Sequence, residues 1–229
     1  MRKAADIYGV SMDMSNHINV HSAASKPAHP TLFPLPADTN AEEYISRCAE
    51  RVSQTDYFAK RGFSNETVKR FRLGFDPDFR EGTGKYPWKA VIIPTSSSSY
   101  EGRNISVAPN SKEGAGFKCR KHGRTVIFNG SCFAEEKERP IFITEGCFDA
   151  LSIIECGGQA AAVGGVSNTG LLSTLLDKIT PSVPLMLAFD NDDAGRAASD
   201  KLAKELESRG SALYKRFRRV DVAVSRPER

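Results

Sequence analysis

Short unbroken apolar runs punctuate the second half of the chain. Ile141-Phe142-Ile143 and Leu185-Met186-Leu187-Ala188-Phe189 are too short, and too rich in branched and aromatic residues, for helices. They predict strands buried on both faces. Between them, Ala150-Leu151-Ser152-Ile153-Ile154 predicts an apolar helix stopped by Gly157-Gly158, and residues 160–163 a small-residue strand ending at Gly164-Gly165. Residues 170–179 predict a second helix, with Pro181 and Pro184 before the next strand. Around and beyond Gly195, the spacing of Ala194, Ala198, Leu202 and Leu206 marks one apolar helix face, and Gly210 ends that helix. Strands alternating with helices at these lengths predict an α/β fold of parallel βαβ units with right-handed crossovers.

Each of the two long apolar strands runs into an acidic cluster: Glu145-Gly146-Cys147-Phe148-Asp149 after the first, and Asp190-Asn191-Asp192-Asp193-Ala194-Gly195 after the second. In an open parallel sheet the C-terminal strand ends form the ligand-binding edge, so two such strands side by side bring Glu145, Asp190 and Asp192 together. Carboxylates that close repel one another unless a cation lies between them. Oxygen ligands without neighbouring His or Cys favour magnesium or manganese over zinc. An acidic residue after a strand is also an ordinary helix cap, and Asp192 or Asp193 fits that role for the following helix. Two motifs together, with Gly146 and Gly195 where the backbone turns tightly, weigh towards the metal.

Glu-Gly-x-x-Asp after one strand and Asp-x-Asp-x-Ala-Gly after a later one resemble the Toprim fold shared by bacterial-type primases, topoisomerases and some nucleases. The resemblance implies that Glu145, Asp190 and Asp192 hold magnesium or manganese. Asp149 matches a further acidic position of the primase branch, which implies a further metal ligand, with capping of the helix it starts as its other role. Upstream, Tyr57-Phe58-Ala59-Lys60-Arg61-Gly62-Phe63-Ser64 and the stretch from Glu66 to Phe75 resemble the opening of the primase RNA-polymerase domain. Physically they predict a short helix, a glycine break and a helix capped by Ser64 with Glu66 and Thr67 in its first turn. Val91-Ile92-Ile93-Pro94, Gly102-Arg103-Asn104-Ile105, Phe117-Lys118 and Ile127-Phe128-Asn129 are similar to the strands that precede Toprim in phage and mobile-element primases.

The implied architecture is a Toprim-type parallel sheet flanked by helices at residues 139–210, preceded at 41–138 by a smaller mixed α+β primase N-terminal subdomain. Residues 1–40 read as a flexible leader or the remnant of a missing N-terminal domain: 1–10 as the last turns of a helix, the rest as linker. Residues 211–229 read as a basic, truncated tail. There, where the primase branch places a second acidic pair, the sequence offers only Asp221.

A chain of 229 residues with 40% apolar content has room for one large or two small domains and a real core. The net charge is only +4, yet it is unevenly spread. Arg103, Lys112, Lys118, Arg120, Lys121 and Arg124 crowd one stretch, and Lys60, Arg61, Lys69, Arg70 and Arg72 another. Such runs are commonly solvated faces; beside an acidic metal site they point to nucleic-acid phosphates. Arg61, Arg103, Lys118, Arg120 and Lys121 are the candidate phosphate contacts.

The cysteines are odd in number, five, without a C-x-x-C pair, and no apolar run spans a bilayer. The expectation is a cytoplasmic protein with reduced thiols and no membrane contact. His17, His21 and His29 lack metal-ligand spacing, which argues against zinc. The expected activity is that of a DNA primase-like core, a DNA-directed RNA polymerase making RNA primers on a single-stranded DNA template from ribonucleoside triphosphates, with a replicative helicase as a candidate partner. Two alternatives share the same acidic edge: a Toprim-type nuclease, and a non-catalytic DNA-binding remnant of a mobile-element primase. A topoisomerase is disfavoured, because no tyrosine-bearing cleavage domain accompanies the motifs.

Overall fold

Asn40 starts the first described helix by accepting the Glu42 amide on its side chain, the ordinary way to satisfy an orphan donor at a helix start. The computed structural model describes residues 10–12, 18–20, 40–80, 88–106, 119–135, 138–208 and 217–219. Two units divide the chain, one mainly Ser22–Thr125 and the other mainly Val126–Arg229.

In the first unit, helix α1 (Ala41–Glu50) lies on an antiparallel sheet of order β3-β4-β5-β6, formed by β3 (Gly74–Phe79), β4 (Trp88–Ser96), β5 (Ser99–Asn104) and β6 (Cys119–His122). Its inward face carries Tyr44, Ile45 and Cys48, which join Phe79, Ala90, Ile92 and Tyr100 in one apolar cluster. Gly74 sets the helix-to-strand distance: a Cβ there would stand 2.7 Å from the Cys48 backbone. The buried Tyr44 hydroxyl donates to Asp76 Oδ2 at 2.6 Å while its ring stacks on Tyr100. Between α1 and β3 come α2 (Tyr57–Lys60) and α3 (Asn65–Arg70). The expected glycine break is present at Gly62, with φ of +83°, and Ser64 caps α3 by accepting the Thr67 amide.

In the second unit the chain alternates strand and helix: β7 (Ile141–Thr144), α4 (Cys147–Glu155), β8 (Gln159–Ala162), α5 (Thr169–Leu176), β9 (Leu185–Ala188), α6 (Asp193–Ser208) and β10 (Phe217–Arg219). The sheet order is β10-β9-β7-β8, with every pair parallel. Ile141, Ile143, Leu185 and Leu187 pack with Leu172, Leu175, Leu202 and Leu206 in its core. Each such side chain contributes roughly 1.5–3 kcal/mol on burial.

Four sequence expectations change. Residues 126–138, expected with the preceding subdomain, belong to the second unit: Phe128 exchanges backbone hydrogen bonds with Ala162, and Ile127, Cys132 and Phe133 enter its core. Apolar side chains and a free strand edge decide that allegiance. The basic tail supplies β10, because backbone pairing to β9 does not depend on side-chain charge at a sheet edge. Within the leader, Val10–Met12 (β1) and Ile18–Val20 (β2) form an antiparallel ribbon, in keeping with β-branched residues, where a helix end and a linker were expected. The inward stripe of α6 begins at Gly195 and Ser199, with Ala194 exposed, because the helix start presses against a loop that admits no side chain at 195. Phe117, Lys118 and Asp221 lie outside the described residues.

A candidate metal centre at the strand ends

β7 and β9 lie side by side with Thr144 opposite Ala188, so the residues after them leave the sheet at one edge. Glu145 and the loop after β9 meet there: the Asp190 amide donates to Glu145 Oε1 at 3.1 Å. Gly195 closes the other side. A Cβ at that position would stand 2.1 Å from the Asp190 carbonyl oxygen and 2.7 Å from Glu145 Oε1, so only glycine lets α6 start so close.

Asp192 caps α6, its Oδ1 accepting the Gly195 amide at 2.8 Å. That bond engages one oxygen and leaves Oδ2 outside it. Asp193 is paired with Arg196. Asp149, in the first turn of α4, leans over Gly146, where a Cβ would come within 2.8 Å of its Oδ2.

Desolvation holds the Glu145 carboxyl above the ordinary carboxylate range. The negative charges of Asp190, Asp192 and Asp149 add to the rise, and the Asp190 amide opposes it. Among the described residues, no three His, Cys, Asp or Glu side chains converge closely enough to hold one ion as they stand. The donor set nonetheless fits a hard divalent cation. All the ligand atoms on offer are oxygens, the carboxylates repel one another, and Asp190 and Asp192 are exposed, with Asp192 Oδ2 outside the bond to the Gly195 amide.

Residues 142–222 match the family model described as Toprim-like. This segment is a Toprim-like domain. No curated protein matches the chain. Its fold is similar to the primase fragment of the bacteriophage T7 primase-helicase protein, with a TM-score of 0.57 and 17% identity over 86% of this chain and 73% of that one. It is also similar to a chain in the structure of the bacteriophage T7 lagging-strand DNA polymerase interacting with primase domains of two gp4 subunits bound to an RNA/DNA hybrid and dTTP. There the TM-score is 0.51 and the identity 17%, over 72% of this chain and 78% of that one. At this identity the likeness establishes the fold.

The candidate phosphate contacts lie in the unit before the Toprim-like domain, and the strand register separates them. Arg103 opposes Cys119 and Glu101 opposes Lys121, so all four occupy one face of the sheet, with Lys121 Nζ 3.5 Å from Glu101. Arg120 opposes Gly102 and occupies the other face. Arg61 is exposed on the turn after α2, beside the Tyr57 ring. Of the other upstream cations, Lys60 pairs with Asp56, and Arg72 pairs with Glu42 and donates to Ser46. Sequence reasoning passed over Arg196, whose guanidinium donates to Asn191 and Asp193 in the acidic loop. The available signal was its position three residues after Asp193, a helix pairing distance.

Proposed function

We propose that this chain is a DNA primase-like core that makes RNA primers on single-stranded DNA. The observation that carries the reading is the parallel β7–β9 pair, which brings Glu145 against the Asp190 loop at one sheet edge. Glu145, Asp190 and Asp192 would hold one or two magnesium or manganese ions, with Asp149 adding negative charge behind Glu145. The bound metal supplies charge neutralisation at the reacting phosphate. The reaction joins a primer 3′-oxygen to the α-phosphorus of a ribonucleoside triphosphate, breaks the bond to the leaving pyrophosphate and releases the hydroxyl proton. The protein's part is positioning.

Arg103 and Lys121, which share a sheet face, and Arg61 on its exposed turn suit template or nucleotide phosphates; Arg120, on the opposite face, would contact a different stretch of the phosphate backbone, and Lys118 is proposed from sequence alone. The likeness in fold to a fragment of a primase-helicase supports a replicative helicase as partner.

The test supplies single-stranded DNA, labelled ribonucleotides and either metal. Short RNA products are expected, more with manganese than magnesium, because magnesium demands stricter octahedral geometry than three carboxylates, two of them exposed, impose. Shortened DNA without ribonucleotide incorporation would replace this reading with a nuclease.

A further inference from the structure

Arg196 has no part in the reaction just described, yet it holds the acidic loop from three directions. Its Nη1 donates to the Asn191 carbonyl oxygen at 2.8 Å and to Asn191 Oδ1 at 2.9 Å, and its Nη2 donates to Asp193 Oδ1. Its own amide donates to the Asp192 carbonyl oxygen at 3.0 Å. Asn191 and Asp193 flank Asp192, so one planar guanidinium grips the chain on both sides of a proposed ligand. We propose that Arg196 is a positioning residue of the metal centre, which orders the loop from Asp190 to Asp193 so that the Asp190 and Asp192 carboxylates face Glu145. This rests on the reading of those three residues as metal ligands.

Two physical points favour positioning over simple charge compensation. A guanidinium presents several donors in a fixed fork, and three acceptors on two residues use that fork; a lysine ammonium cannot span them in the same way. A positive charge beside a cation site, acting through charge alone, would weaken cation binding. Its removal would then tighten it. Positioning gives the opposite sign, because an unclamped loop must be ordered at the moment of binding.

The experiment compares the parent with Arg196→Ala and Arg196→Lys, first without metal and then with manganese chloride. Hydrogen exchange at the Gly195 amide, which is bonded to Asp192 Oδ1, should quicken in both variants without metal, while circular dichroism shows the fold kept. Calorimetric manganese affinity should fall by about tenfold or more in both, the usual scale for groups that orient ligands. Unchanged exchange, equal affinity, tighter binding by Arg196→Ala, or full affinity in Arg196→Lys would each overturn the inference. A parent that binds no manganese would overturn it together with the site reading, whereas a parent that binds equally well as both variants would overturn it alone.

Discussion

Glu145 serves two purposes that conflict without a cation. Its Oε1 accepts the Asp190 amide and so joins the two strand ends, while its charge adds to those of Asp149, Asp190 and Asp192. A carboxyl whose folded-state pKa is raised favours the folded state most at low pH, and that contribution is lost as pH rises through the raised value. Glu145→Gln keeps the acceptor oxygen and removes the titration. In a chelator at pH 7 the variant should therefore melt slightly above the parent, and the gap should close as the pH falls into the carboxylate range. The effect is small because solvent screens the half-exposed group. Equal melting at every pH would contradict a Glu145 carboxyl raised by desolvation and its acidic neighbours. At this scale the site is legible in sequence where position follows from pattern: an apolar run ends, the next residue is at the sheet edge, and Glu145, Asp190 and Asp192 follow. Arg196 is hidden, since an arginine early in a helix ordinarily reads as a solvated cation.

Elements decide how the sheet of the second unit ends. The outer edge of β8 is occupied by Phe128, bonded both ways to Ala162, and by Asn129, whose Nδ2 donates to the Ala160 carbonyl oxygen at 2.8 Å. Asn129 does this from the left-handed region, at φ of 52°, which asparagine tolerates better than most residues. Asn129→Ala should destabilise the unit by about 0.5–1.5 kcal/mol for the lost hydrogen bond to the Ala160 carbonyl, which keeps the Cys132 thiol as a donor, plus about 1–2 kcal/mol of backbone strain. Asn129→Gly should recover the backbone part alone. Urea midpoints that rank parent, glycine, alanine in falling order bear this out; alanine equal to parent contradicts it. That segment was assigned to the wrong unit in sequence because a lone bridge of Phe128 has no strand-length pattern. The β7, β8 and β9 strands and the α4, α5 and α6 helices were legible because each carries its own periodicity or punctuation. The opposite faces of Arg103 and Arg120 are implicit in strand alternation, yet a charge count along the chain cannot show them.

On the scale of the whole molecule, the fold likeness spans most of the chain, while the family match is confined to the Toprim-like domain. What would join fold to proposed activity is a cation at the acidic edge. The direct measurement is calorimetric titration of manganese and magnesium into the parent and into the Asp190→Asn, Asp192→Asn double variant. Asparagine caps helices as well as aspartate does, and the Asp190 amide keeps its bond to Glu145, so the variant should fold as the parent does. Divalent metal binding by the parent, weakened at least about tenfold in the double variant, is the predicted result. Equal affinity in the two proteins would contradict the assignment of Asp190 and Asp192, and with it the primase reading.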